Sequence, residues 1–88
     1  MRTYNLIISS PDGNIFEGEV VNLSLRGANG DLAVMAGHVP FVTSVKSCDC
    51  KIEFEDETER IANLDGGILS VSNDKVVLLS GSFKWKDN

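Results

Sequence analysis

The chain has 88 residues, with 13 acidic against eight basic side chains, a formal charge of −5 and a pI near 4.6. That length holds one domain with a thin core, so residues 1–88 are read as a single domain with little volume for a deep catalytic pocket. The bases Arg2, Arg26, Lys46, Lys51, Arg60, Lys75, Lys84 and Lys86 stand singly, which excludes nucleic acid as the main partner and argues against electrostatic docking on anionic lipid.

Tyr4, Leu6 and Ile8 alternate with Asn5, Ile7 and Ser9, and PDGN then supplies a turn. Ile15-Phe16 opens a short second strand, interrupted by Gly18. VVNLSLR alternates again, with Leu23 and Leu25 on one face, and GANGD makes a loop with a glycine at each end. LAVMA is a short apolar run stopped by Gly37, and Val42 to Val45 reads as another strand. KIEFE and ERIANL flank acid-rich EDET as a hairpin. Asp65-Gly66-Gly67 is expected to turn the chain into ILSVS, and Asn73-Asp74 to turn it again into KVVLLS. Residues 81–88 form a tail in which Phe83 and Trp85 alternate with Ser82, Lys84 and Lys86.

Apolar residues nowhere recur at helical spacing over 11 or more residues. Short strands with a turn about every 8–12 residues point to an all-β fold, a two-sheet antiparallel β-sandwich of about ten strands. Val76-Val77-Leu78-Leu79 and Leu32-Ala33-Val34-Met35 are apolar on both faces, although a two-layer sandwich buries only one face of each sheet. Edge strands and loops account for part of this; the rest favours a flat, partly apolar docking surface.

The N-terminus lacks the continuous apolar core of a signal peptide. The longest stretch without a charged residue, Leu32 to Val45, has 14 residues, where a membrane span needs about 20. A soluble, cytosolic chain without direct membrane insertion is expected.

Candidate chemistry is sparse. The acids of EFEDETE occupy a hairpin tip, the opposite of a pocket that separates two carboxylate pKa values, and read as a solvated edge that discourages edge-to-edge pairing. Cys48 and Cys50 are one residue apart, so their side chains share one side of an extended chain and a bridge between them would be strained. Two thiolates do not complete a tetrahedral zinc site, and only His38 could add a third nitrogen or sulfur ligand; reduced thiols in a loop are expected. His38 has no nucleophile elbow, Walker loop or second histidine beside it. No metal and no cofactor are expected.

The segment GDLAVMAGHVPFVT resembles the N-terminal β-sandwich domain of the epsilon subunit of F-type ATP synthases. That family carries Gly-acid-Leu-Gly, two apolar residues, Pro-Gly-His-x-Pro and a Thr three residues on; Gly30, Asp31, Leu32, Gly37, His38, Pro40 and Thr43 match. SPDGNIFEGEV resembles the family's opening turn through Ser10, Ile15-Phe16, Gly18 and Val20, and LDGGILSVSNDKVVLLS resembles its Gly-Gly strand and closing hairpin. The three blocks reach from Tyr4 to Ser80. Ala33 replaces the usual glycine, Ala36 the usual proline, and SCDC stands where the family commonly has a Lys-Pro-Gly turn.

The resemblance implies a non-catalytic rotor part that links the gamma subunit to the c-ring and couples proton translocation to ATP synthesis. It would lie at the cytoplasmic side of a bacterial plasma membrane, as a peripheral part of the complex. Ala28, Asn29, Gly30 and Asp31 would reach the c-ring; Ser10, His38, Pro40, Phe41 and Thr43 would face gamma. The family's helical hairpin, which can brake ATP hydrolysis and in some members binds ATP, has no counterpart pattern in the eight residues after Ser80, so inhibition by that hairpin and ATP binding are not expected. His38 then belongs to a docking surface or makes an intradomain hydrogen bond that shapes the same loop. Two alternatives stay open on the residues alone: a free-standing β-sandwich that binds a protein or small ligand, and a small metal- or thiol-dependent enzyme built on Cys48, Cys50 and His38.

Overall fold

The two-residue alternation becomes strand throughout a computed structural model, which describes residues 2–86. The strands are β1 (Tyr4–Ser10), β2 (Gly13–Val20), β3 (Asn22–Gly27), β4 (Gly30–Met35), β5 (Phe41–Glu53), β6 (Glu59–Val71), β7 (Lys75–Leu79) and β8 (Phe83–Trp85). They join in the order β2-β1-β7-β6-β5-β3-β4, with β8 on β6. Flat, this sheet would hold β1 and β3 about 19 Å apart, four strand spacings. Yet Leu6 and Ile8 of β1 share one buried cluster with Leu23 and Leu25 of β3 and Val34 of β4. The Tyr4 hydroxyl also donates to the Val34 carbonyl at 2.8 Å. The sheet therefore folds over on itself into two layers.

The fold-over runs through β5 and β6, each 13 residues long. The far part of β6 pairs with β7 from Ile68 to Val71, and the near part with β8 from Ala62 to Leu64. Both long strands thus serve both layers, which is why eight strands do the work of the ten short ones expected. Asp65-Gly66-Gly67, expected to be a turn, is a bend inside β6: Gly66 has φ +93°, and the strand continues in register with β5 on either side. SCDC, expected in a loop, lies within β5, because β6 supplies a partner along its whole length.

The pairing is also not wholly antiparallel. β1 runs parallel to β7, from Asn5 opposite Lys75 to Ser9 opposite Leu79. No hairpin dictates that pairing, since the rest of the sandwich forms the crossover between the two strands. The other expected hairpins stand: Ser72 N–H bonds the Lys75 carbonyl at 2.9 Å, and Phe54 N–H the Thr58 carbonyl at 2.9 Å. At the tip of the latter, the Asp56 carboxylate accepts the Thr58 backbone and hydroxyl protons, which holds its pKa below the usual carboxylate value.

The described part of the tail is structured; residues 87 and 88 lie outside the described residues. Trp85 stands opposite Ala62 and Phe83 opposite Leu64. Trp85 meets Phe16 edge-on at 6.0 Å and Phe83 at 5.0 Å, and the Arg60 guanidinium lies 3.6 Å over its ring. These contacts cap one end of the core.

The Tyr4–Val34 bond is the simplest test of the two-layer closure. Tyr4→Phe strips the Val34 carbonyl of that donor, which is expected to cost about 1 kcal/mol and lower the thermal midpoint by about 4–8 °C. Thermal unfolding followed by circular dichroism checks this.

Candidate docking surface

The loop after β4 owes its path to Gly37, whose φ of +86° suits glycine. His38 N–H donates back to the Met35 carbonyl at 3.2 Å. Its Nδ1 lies 2.8 Å from the Val39 carbonyl oxygen, an acceptor only, so Nδ1 carries the proton. The ring packs on Phe41 with centroids 4.9 Å apart. The imidazole thus braces its own loop, leaving Val39 69 % and Met35 58 % exposed. The cysteines are far from it: Cys48 lies seven residues along β5 from Phe41, about 23 Å of strand, so the zinc set considered from the sequence is not assembled. Cys50 is buried, and burial pushes its thiol up to about 12, leaving a poor nucleophile at neutral pH.

Gly27 to Gly30 close the β3–β4 hairpin around Ala28 and Asn29, with Gly30 at φ +121°. Ala28 N–H points to the Thr43 hydroxyl at 3.4 Å, and that hydroxyl donates to the Ser44 carbonyl at 3.0 Å. The tip is therefore seated against β5. Asp31 pairs with Arg26 at 3.2 Å, both largely in water. A shallow hollow of about 240 Å³ runs from the tip to Phe41 and Thr43.

Ser10 is apart from these. It ends β1, accepting the Asp12 N–H at 3.2 Å to close the turn into β2. His38 lines a small hollow with Tyr4 and Lys75, at the other end of β1. Tyr4 and Ser10 are the two ends of β1, so roughly 20 Å of strand separates them. Phe41, Thr43 and the 28–31 tip come together, His38 and Pro40 adjoin them through the loop, and Ser10 does not join them.

Between these positions lies a surface of which the sequence singled out only Val77 and Leu79. On the outer side of the first layer, Ile7, Val77, Ser70 and Val42 form one cross-strand row, and Ser9, Leu79, Ile68 and Ser44 the next. Val42 is 70 %, Ile68 50 % and Leu79 48 % exposed. The doubly apolar run VVLL was the available signal.

The outer side of the second layer is the reverse. Lys86 meets Asp49 at 3.0 Å, Asn63 meets Asp49 at 2.9 Å, and Asn22 meets Glu53 at 2.9 Å. The Asn63 bond first, and Lys86 second, hold the Asp49 carboxyl below its usual pKa. Such surface pairs add little stability, but they keep that side compatible with water. The two outer faces therefore differ: one is laced with ion pairs and amide bonds, the other is apolar with small hydroxyls across β7, β6 and β5 and carries Glu17 and Asn14 only at its β2 edge, opposite Ile7 and Ser9.

Comparison with known proteins gives two kinds of match. The family model described as ATP synthase, Delta/Epsilon chain, beta-sandwich domain matches residues 3–86. Among solved structures, a chain of the Euglena gracilis mitochondrial ATP synthase, OSCP/F1/c-ring, superposes with a TM-score of 0.89 at 19 % identity, covering 98 % of this chain and 56 % of that one. A chain of the Tetrahymena thermophila mitochondrial ATP synthase central stalk and c-ring superposes with a TM-score of 0.78 at 10 % identity, covering 93 % of this chain and 66 % of that one. This chain thus spans less than two thirds of either.

Proposed function

Because the chain belongs to the family of ATP synthase delta/epsilon β-sandwich domains, we propose that it is a rotor component of an F-type ATP synthase, joining the gamma subunit to the c-ring without catalysing a reaction. The observation that carries this reading is the contrast between the two outer faces. The apolar rows of Ile7, Val77, Val42, Leu79 and Ile68 are assigned to gamma, together with the His38–Phe41 loop beside Val42 and with Thr43. Ser10 borders the same rows at their far corner. The hairpin tip Ala28–Asp31 is assigned to the polar loops of the c-ring.

Magnitudes support a contact with several points. Val42, Ile68 and Leu79, each about half-exposed or more, return about 1 kcal/mol apiece when covered, about 3 kcal/mol together, and the half-buried Ile7 and Val77 add less. Association itself costs on the order of 4–15 kcal/mol. The face alone is therefore too weak for a permanent joint, and the loop and tip must be held at the same time. A stiff sandwich with two separate contact regions transmits torque through shape, and the complex stays at the membrane surface through the c-ring; among the described residues no helix is long and apolar enough to cross a membrane. A flat face of this kind fits a protein partner better than a small ligand, which asks for a concave pocket with converging polar groups.

The reading is tested by tagging the chain in its native host and purifying it gently. Co-elution with gamma, the c-ring and the catalytic alpha and beta subunits is expected. Recovery only as free chain, from a lysate in which that complex is intact, overturns it.

A further inference from the structure

We propose that Thr43 is a positioning residue: its hydroxyl holds the 28–31 hairpin tip at a fixed angle to the apolar face, so that the two contact regions move as one body. The proposal deepens the rotor reading, and its functional part rests on that reading. Val42, Thr43 and Ser44 are consecutive in β5, and neighbouring side chains of a strand point to opposite sides. Val42 and Ser44 belong to the apolar rows, with Val42 70 % exposed, so the half-buried Thr43 points the other way. There it lies against the hairpin: a Cβ added at Gly27 would sit 3.6 Å from both the Thr43 Cγ2 and Oγ1. The Oγ1 accepts the Ala28 N–H at 3.4 Å and donates its own proton to the Ser44 carbonyl at 3.0 Å, using both capacities of a hydroxyl. The backbone of Thr43 thus runs in a strand of the apolar face, while its hydroxyl is turned to the tip.

The tip has little else to hold it. Ala28 and Asn29 stand between Gly27 and Gly30, and glycine restrains the backbone least. The Arg26–Asp31 pair stays within the hairpin and lies largely in water, where such pairs add little. Beneath the tip is the hollow of about 240 Å³ bounded by Phe41 and Thr43, space into which it can swing. The last ladder pair between β3 and β5 is Gly27 with Val45. Beyond it, among the described residues, the Ala28–Thr43 bond is what ties residues 28–31 to β5. A long, exposed hydrogen bond contributes little to overall stability; its effect is on where the tip points.

The test compares Thr43→Val, which keeps the shape and loses the oxygen, with Thr43→Ser, which keeps the oxygen, both in the full chain and in the assembled ATP synthase. In the chain, the Ala28 amide of Thr43→Val is expected to exchange its hydrogen about fivefold faster than the native one, the factor that one net hydrogen bond supplies, with the strand spectrum unchanged. Thr43→Ser should keep the native rate. In the complex, gamma is expected to co-purify with Thr43→Val as it does with the native chain, because Val42, Ile68 and Leu79 are untouched. Proton-driven ATP synthesis per assembled complex should fall nonetheless, and Thr43→Ser should restore it. Native Ala28 exchange in Thr43→Val overturns the proposal, and so does full synthesis despite faster exchange, or a loss of synthesis that follows loss of gamma. If the native chain itself fails to co-purify with gamma and the c-ring, the rotor reading falls and the torque role with it, while the exchange rates still decide whether Thr43 holds the tip.

Discussion

Replacing Ile68 with aspartate and Leu79 with lysine is expected to leave the chain folded and to abolish the docking on gamma proposed for this face. The two residues stand directly opposite each other on β6 and β7 and are about half exposed. An opposite-charge pair at such a position is compatible with the sheet, so the thermal midpoint should move by only a few degrees. A partner packed on this face would instead have to desolvate two charges. Hot-spot losses of about 2–4 kcal/mol correspond to roughly 30- to 1,000-fold weaker association. Co-purification of the variant with gamma and proton-driven ATP synthesis in the variant strain measure this. Lys51→Ala with Lys86→Ala, on the charged face and away from the 28–31 tip, is the control and should assemble like the native chain. Full assembly of the Ile68→Asp, Leu79→Lys variant would mean that gamma packs elsewhere.

Gly67→Ala is expected to be the most damaging single methyl in the described chain. A Cβ at this position would overlap the Leu79 carbonyl oxygen and lie 3.2 Å from the carbonyl carbon and 3.3 Å from the Ser80 Cβ. The obstacle is mostly backbone, held by the β6–β7 ladder and by Ser80, whose hydroxyl donates to the Gly66 carbonyl at 2.8 Å. Neither strand can move without disturbing the core residues Leu69 and Leu78. Overpacking of this kind costs about 3 kcal/mol, which lowers the midpoint of so small a domain by about 12–24 °C. Gly81, where an added Cβ meets nothing within 4 Å, provides the comparison: Gly81→Ala should stay within about 0.5 kcal/mol of the native chain. Urea unfolding of the two variants separates a close-approach glycine from a merely permissive one.

The same glycine shows where a linear reading stops. A Gly-Gly pair between apolar runs is read as a turn, because turns are the commonest use of glycine. Whether it turns, bends or makes room depends on the strand that lies against it, and that strand, β7, comes later in the chain. Cys48 and Cys50 were misplaced for the same reason. Nothing local marks SCDC as strand; its pairing with β6 from Ser47 opposite Asp65 to Cys50 opposite Ala62 does. Phe83 and Trp85 alternated visibly, but only β6 decided which edge they would cover.

The docking surface divides in a similar way. Gly30 and Gly37 were legible as turn glycines and His38 as a loop brace, because tight turns and loop braces use short, specific residue patterns. Ile68 and Val42 were not, and Leu79 was marked only as one member of a doubly apolar run. In a run that is apolar on both faces, a period of two cannot tell the core side from the solvent side.

Alternation and turn chemistry act between neighbours, so the sequence by itself determined that this chain is all strand and where most of its hairpins fall. The fold-over of the sheet through β5 and β6, the parallel β1–β7 pair, the break in register between β3 and β5, and the choice of one apolar and one charged outer face were decided only in three dimensions. Each depends on which distant strands share a ladder. Ladder hydrogen bonds are alike for every side chain, so the choice rests with burial of the common core.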